Sequence, residues 1–259
     1  MTPTPSRFWR YAALVTSLGN AAFGALQERL GLGGRSMVEV TDSYPNLFRP
    51  AGYAFSIWIA IYAAFIGYAA WALSAGQRDV RAHDRVAPPL ALANVLCGAW
   101  TVAYRHDQIG LTVALIAAAL GCGVWMYTNA RAAVAAGELG RVAAVPFSLF
   151  LGWISVATIA NVTLALVAAK WQGGAVDPPV WAALLLAVAA SLGAVIAFRH
   201  RDAVVPLVVA WAAVAIAVQQ SSASRLVGGA AITAAAASVV VAALAVWSPE
   251  KPLTQARAY

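Results

Sequence analysis

The chain has 259 residues, of which 62% are hydrophobic and only 10% charged, with a mean hydropathy of +0.74. Soluble domains run at about 45–50% apolar and about 25% charged, so this composition excludes a soluble cytoplasmic enzyme, a disordered chain and a disulfide scaffold. The net charge of +7 would suggest nucleic acid in a soluble protein; here the basic residues fall in short loops between apolar runs, so membrane topology explains them and no nucleic-acid partner is expected.

A helix needs about 20 mostly apolar residues to cross the roughly 30 Å hydrocarbon core. Read for such runs, the sequence predicts an all-α integral membrane protein with about eight transmembrane helices. They lie near residues 8–26, 53–73, 87–105, 110–130, 144–169, 180–198, 204–220 and 227–247. The first run opens on Phe8-Trp9-Arg10 as a signal peptide would, but Gln27-Glu28-Arg29 offers no small-residue cleavage site, so it is read as a mature span. The loop 27–52 is the longest. Its VTDSYPNLFRPAG stretch is rich in turn formers yet carries Tyr44, Leu47 and Phe48, which predicts a lid packed over the bundle. In the second span Phe55, Trp58 and Tyr62 share one helical face by their three-and-four spacing. The third places Asn94, Cys97, Trp100 and Tyr104 on roughly one side, and the fifth does the same with Phe150, Trp153, Ala157 and Asn161. The seventh is shortest and ends at Gln219-Gln220. Cys97 and Cys122 lie inside apolar runs and are expected to act as small buried hydrophobes.

Loop charge sets the orientation. With a cytoplasmic N-terminus, the inner side holds Arg7, Arg10, Arg78, Arg81, Arg85, Arg131, Arg141, Arg199, Arg201, Lys251 and Arg257, eleven in all. The outer side holds six: Arg29, Arg35, Arg49, Arg105, Lys170 and Arg225. Both termini are therefore expected in the cytoplasm, in a bacterial inner (cytoplasmic) membrane. Composition also shifts along the chain: most of the aromatic rings lie in residues 1–171, whereas 172–259 is mainly Ala, Val and Leu. Trp9, Trp71, Trp171, Trp181 and Trp247 suit an interfacial belt. Trp58, Trp100 and Trp153 sit inside their runs and suit either helix packing or a ligand wall.

All ten acidic residues, and His83, His106 and His200, are assigned to loops or tails. Ionisable groups in mid-membrane usually mark proton relays or ion paths, and none is expected here. No P-loop, HExxH or GxSxG motif occurs, and GLGG at 31–34 is read as a turn. What remains is aromatic and amide chemistry.

These aromatic residues carry a family resemblance. FRPAGYAFSIWIAIY, residues 48–62, resembles the second-helix signature of the TspO/MBR family, the translocator or tryptophan-rich sensory proteins. Phe48, Pro50, Phe55, Trp58 and Tyr62 match it, with Ala51 in place of a second proline and Tyr53 in place of a tryptophan. PFSLFLGWISVATIAN, residues 146–161, resembles the family's last helix, with Trp153, Ala157 and Asn161 at its recurring positions. ANVLCGAW resembles the third-helix motif more loosely. The likeness covers about residues 8–169. It implies a TspO-like five-helix bundle over 1–171, with 172–259 supplying three additional transmembrane helices. The family's cholesterol-recognition segment has no counterpart in LALVAAKWQGG.

The resemblance further implies a helical bundle that binds a tetrapyrrole or another flat hydrophobic molecule, often as a homodimer, in signalling or transport. The expected function is thus a membrane receptor or carrier for a porphyrin-like ligand, with no cofactor, no metal and no catalytic residue required. A permease or accessory subunit of a transporter is the alternative, and a tetrapyrrole-modifying or photo-oxidative enzyme a third class. The expected wall of the site is Tyr53, Phe55, Trp58, Tyr62, Trp100, Trp153, Ala157 and Asn161, between the second and fifth spans and within the lipid bilayer. Aromatic faces would pack on the ring and a few hydroxyls or amides would orient it.

Overall fold

The structure, a computed structural model, describes residues 7–30, 34–171 and 173–247, the side chains of 28–30 excepted. Eight long helices account for most of it: α1 (Phe8–Leu30), α3 (Ile57–Ala72), α4 (Ala82–Arg105), α5 (Ile109–Ala135), α6 (Val145–Ala168), α7 (Pro178–His200), α8 (Val204–Gln220) and α9 (Arg225–Trp247). A short α2 (Met37–Asp42) lies in the first long loop. No strand occurs among the described residues. The eight expected spans all fall on these helices. Six are long and apolar enough to cross a membrane; α8, at 17 residues, is shorter, and α1 lies outside that set. The expectation of an all-helical integral membrane protein is borne out.

Burial is arranged for lipid. Val15, Ile59, Val195, Phe198 and Val246 lie on the outside, while Arg10, Ser17, Asn20, Asn94 and Asn161 are buried. Intra-helix hydrogen bonding satisfies the backbone, so a helix can turn its apolar side chains outward and keep its polar ones for its neighbours. On α1 this is explicit: the amide of Asn94 on α4 donates to the Ser17 hydroxyl at 3.0 Å and to the Leu90 carbonyl at 3.0 Å, and Asn20 donates to Asn94 at 3.5 Å. That face explains why a span of only moderate hydropathy still belongs to the bundle.

Helices α1, α4, α5, α6 and α3 pack in that cyclic order into a ring, and α7, α8 and α9 pack on one another as a triangle. The two groups join where α8 crosses α6. A methyl on Gly152 would lie 2.9 Å from Cβ of Val208, so only glycine permits that approach. The Ala51 N–H donates to the Ala215 carbonyl at 3.0 Å, and the Trp211 indole donates to the Ala54 carbonyl at 3.1 Å. One continuous apolar core, from Phe65 and Phe150 to Ile216 and Ala231, runs through both groups.

Several expectations need correction. His83 and Asp84 lie in the first turn of α4, which begins at Ala82 rather than near 87. Cutting the span at its charges removed a turn whose Ala82, His83 and Val86 are fully buried. Glu39 and Asp42 lie in α2, and His200 ends α7. Ionisable groups are also buried at the helix ends. Arg10 is 2% exposed; it pairs with Asp84 at 2.7 Å and donates to the carbonyls of Ala72, Gln77 and Val80 at 2.8–3.1 Å. Asp202, 1% exposed, pairs with Arg131. The sequence pattern hides such pairs because the partners are far apart along the chain. Lys251, Arg257, Glu250 and the GLGG residues 31–33 lie outside the described residues.

Interhelix contacts sort the loops into two ends. Arg10–Asp84, Arg85–Glu138 and Arg131–Asp202 share one. Arg35–Asp107, Tyr44–Asp107 and the bonds of Gln220 to residues 46 and 49 share the other. This is the same division that the loop charges require.

Candidate functional site

The segment 34–51 folds back over the open end of the five-helix ring. Gly34 starts it with φ +88°, and a Cβ there would sit 2.4 Å from the Arg105 carbonyl oxygen. Ser36 and Glu39 form a capping box on α2: the Ser36 hydroxyl accepts from the Glu39 N–H at 3.1 Å, and the Glu39 carboxylate accepts from the Ser36 N–H at 2.6 Å. The bond from the Ser36 N–H, with the nearby Ser36 hydroxyl second, holds the Glu39 carboxyl below its ordinary value. Tyr44 donates to Asp107 at 2.9 Å, which together with desolvation raises the phenol above its usual range. Thr41 and Tyr104 share a hydrogen bond of 2.7 Å that ties α2 to α4. From the other side Gln220 donates to the carbonyls of Arg49 at 2.9 Å and Asn46 at 3.3 Å. Phe48, 1% exposed, is driven into the core. Of the lid expected over 27–52, residues 27–30 belong to α1 and 31–33 lie outside the described residues; 34–51 form it, held by α4 on one side and by α8 on the other.

Beneath it lies an aromatic cavity of about 70 Å³, lined by Phe48, Pro50, Phe55, Trp100, Tyr104, Trp153, Ala157 and Asn161, with Met37 and Thr41 of α2 as part of the roof. A second cavity of about 30 Å³ lies deeper, between Trp58, Cys97, Ile116, Ala119 and Ile154. Phe55, Trp100, Trp153 and Ala157 line both. Three spans converge here because α3, α4 and α6 each carry a large ring at helical spacing on the face turned inward. Phe55 meets Trp153 edge-on at 5.9 Å, Trp58 meets Phe150 edge-on at 6.4 Å, and Trp100 stacks on Tyr104 at 4.9 Å.

Six of the eight expected wall residues meet at these cavities: Phe55, Trp58, Trp100, Trp153, Ala157 and Asn161. Tyr62 lies beside them, stacked on Trp58 at 5.4 Å, but lines neither. Tyr53 is elsewhere. It lies in the 3-10 turn Gly52–Ser56 that precedes α3, is 42% exposed, and meets Trp211 of α8 edge-on at 5.3 Å. Its place in the expected wall came from the family signature, where it stands for a tryptophan; in the 3-10 turn it lies on the α8 side, away from Phe55. Met37, Thr41 and Tyr104 were missed as wall residues. For the first two only the loop's turn chemistry, and not its periodicity, hinted at a roof.

The polar groups of the wall are unequally used. Asn161, 4% exposed, accepts from the Trp100 indole N–H at 2.9 Å and donates to the Thr112 hydroxyl at 2.9 Å, joining α4, α5 and α6. The Trp153 indole nitrogen is buried with no hydrogen-bond partner among the described residues. A buried donor left unpaired costs on the order of 1–3 kcal/mol. Cys97 and Cys122 are both buried, as apolar residues would be. Among the described residues no group of three His, Cys, Asp or Glu side chains is placed to hold a metal ion.

No curated protein and no solved structure matches the chain. A family model described as TSPO-like protein matches residues 10–247, which takes in seven of the eight long helices whole and α1 from Arg10 on. That match, spanning more than nine-tenths of the sequence, bears out the resemblance of residues 48–62 and 146–161: the chain belongs to the family of TSPO-like membrane proteins.

Proposed function

We propose that the protein is a non-enzymatic membrane receptor or carrier for a planar, porphyrin-like hydrophobic ligand that presents a hydrogen-bond acceptor, with a signalling or transport role. The observation that carries this reading is Trp153. Its ring forms part of both cavity walls, and its N–H is buried without a partner among the described residues. A flat ring lying against Phe55, Trp58, Trp100 and Trp153 gains apolar contact and edge-to-face packing, and an acceptor on its rim removes the cost of the unpaired N–H. Asn161 contributes by fixing the Trp100 ring. The enclosed volumes, about 70 and 30 Å³, fall short of the roughly 300–1,000 Å³ of drug-sized ligand sites. Binding of a tetrapyrrole therefore requires Phe48 and the lid to move outward. The basic end of the bundle faces the cytoplasm in this reading, in a bacterial inner membrane.

The test is saturable quenching of tryptophan fluorescence by protoporphyrin in wild type, Trp153→Phe and Trp125→Phe. Trp125 is 50% exposed on α5 and lines neither cavity, so it is the control. Trp153→Phe keeps a ring and deletes the N–H. One hydrogen bond, about 0.5–1.5 kcal/mol, predicts affinity weaker by about two- to tenfold. Unchanged affinity in a folded Trp153→Phe protein, or no saturable quenching in wild type, rejects the proposal.

A further inference from the structure

Outside the ring, α6 leans on α8 more than on α7, and near the lid this leaves a lateral cleft of about 790 Å³. Leu166 and Val167 of α6, Leu185 of α7 and Leu47 of the lid form aliphatic walls. Trp171 and Trp181, whose ring centroids are 5.5 Å apart, stand at the α6–α7 connection. The volume lies within the roughly 300–1,000 Å³ range of small-molecule sites, several times that of the aromatic cavity. Its chemistry also differs: a flat ring finds stacked aromatics in the cavity, whereas this cleft is mostly aliphatic and suits a flexible alkyl chain.

The polar groups of the cleft are weighted toward donors. Arg49 contributes a guanidinium, whose Nη1 nitrogen pairs with Asp42 at 2.5 Å, and a guanidinium has five N–H donors. The Trp181 indole nitrogen is buried with no partner among the described residues. Gln219 adds an exposed amide, and among the described residues no aspartate or glutamate lines the cleft. A cationic group beside an aliphatic slot between transmembrane helices selects an anionic head with an alkyl tail. We propose that this cleft is a second binding site, distinct from the aromatic cavity, for an anionic amphiphile with an aliphatic chain. Such chemistry is shared by a free long-chain carboxylate and an anionic phospholipid of the bilayer. The strap of Asn46, Phe48 and Arg49 is the common wall of cleft and cavity.

The test uses the full chain in nanodiscs of zwitterionic lipid, with a brominated C18 fatty acid, its methyl ester and a brominated phosphatidylglycerol as quenchers of Trp171 and Trp181. Saturable quenching by the acid is expected, absent in Trp171→Phe/Trp181→Phe and retained in Trp125→Phe. Filling the slot with Val162→Phe/Leu185→Phe, and neutralising the head as the methyl ester, should each weaken binding about tenfold or more, an order of magnitude that 1.4 kcal/mol supplies. If phosphatidylglycerol alone shows the same saturable, variant-sensitive quenching, the site stands and its occupant comes from the bilayer. Linear quenching by every probe, or equal affinity for acid and ester, overturns the proposal. Failure of protoporphyrin to bind leaves this readout untouched, because the quenchers contain no ring and the reporters lie outside the cavity.

Discussion

Replacing Asp202 by alanine should strip one end of the bundle of its central anchor. The carboxylate sits in the turn between α7 and α8, where Arg201 adopts φ 53° to end α7. It accepts from the Ser148 hydroxyl of α6 at 2.6 Å, from the first N–H groups of α8 (Val204 at 2.8 Å, Val205 at 3.4 Å), and pairs with Arg131 of α5. One side chain thus joins three helices, α5, α6 and α8. The Arg131 side chain is only 13% exposed, so removing its partner leaves a charge that water reaches poorly. Breaking such a pair typically costs about 3–5 kcal/mol, and the lost helix cap about 1 kcal/mol. The two overlap, so the expected loss is about 3–5 kcal/mol in total, measured by reversible unfolding in mixed micelles. Arg131→Met should restore part of the loss when combined with Asp202→Ala, with a coupling energy of about 1–3 kcal/mol. Burial by itself would raise the Asp202 carboxyl, but Ser148, Arg131 and the Val204 N–H outweigh it and hold it below the ordinary 3.8. A lowered native value means the stabilisation is complete above pH 3.8 and is lost as pH falls through the native value beneath it. The difference between wild type and Asp202→Asn should therefore be constant from pH 7 to about 4 and narrow only below that. A loss under about 1 kcal/mol, or single effects that simply add, would refute the assignment.

Two further outcomes are expected. Gln220→Ala removes both bonds from α8 to the strap; at about 1 kcal/mol each, amide hydrogen exchange over residues 44–50 should accelerate by about tenfold or more, and unchanged exchange would mean that α8 does not hold the lid. For orientation, cysteine at Gln108 should react with an impermeant maleimide in intact cells, while cysteine at Ala136, exposed at the basic end, should react only after permeabilisation; the reverse pattern would invert the proposed topology.

Much of this molecule was written in its sequence. Continuous apolar runs between charges locate eight helices, because lipid imposes a minimum length and admits few polar groups. Three-and-four spacing brought Trp58 with Tyr62, and Trp153 with Ala157 and Asn161, onto shared faces, since one helix fixes those directions locally. Tertiary structure alone decided which faces meet. It turned Tyr53 out to Trp211 through a 3-10 turn, brought Tyr104 and the short α2 into the wall, and engaged Asn161 between Trp100 and Thr112. It also paired Arg10 with Asp84 and Arg131 with Asp202 across about 70 residues of chain in each case. Charges that read locally as loop punctuation thereby became buried anchors. Periodicity reports one helix at a time, whereas a cavity, an ion pair or a cleft belongs to the spaces between helices, and those depend on volumes and crossings set by residues such as Gly152 and Val208.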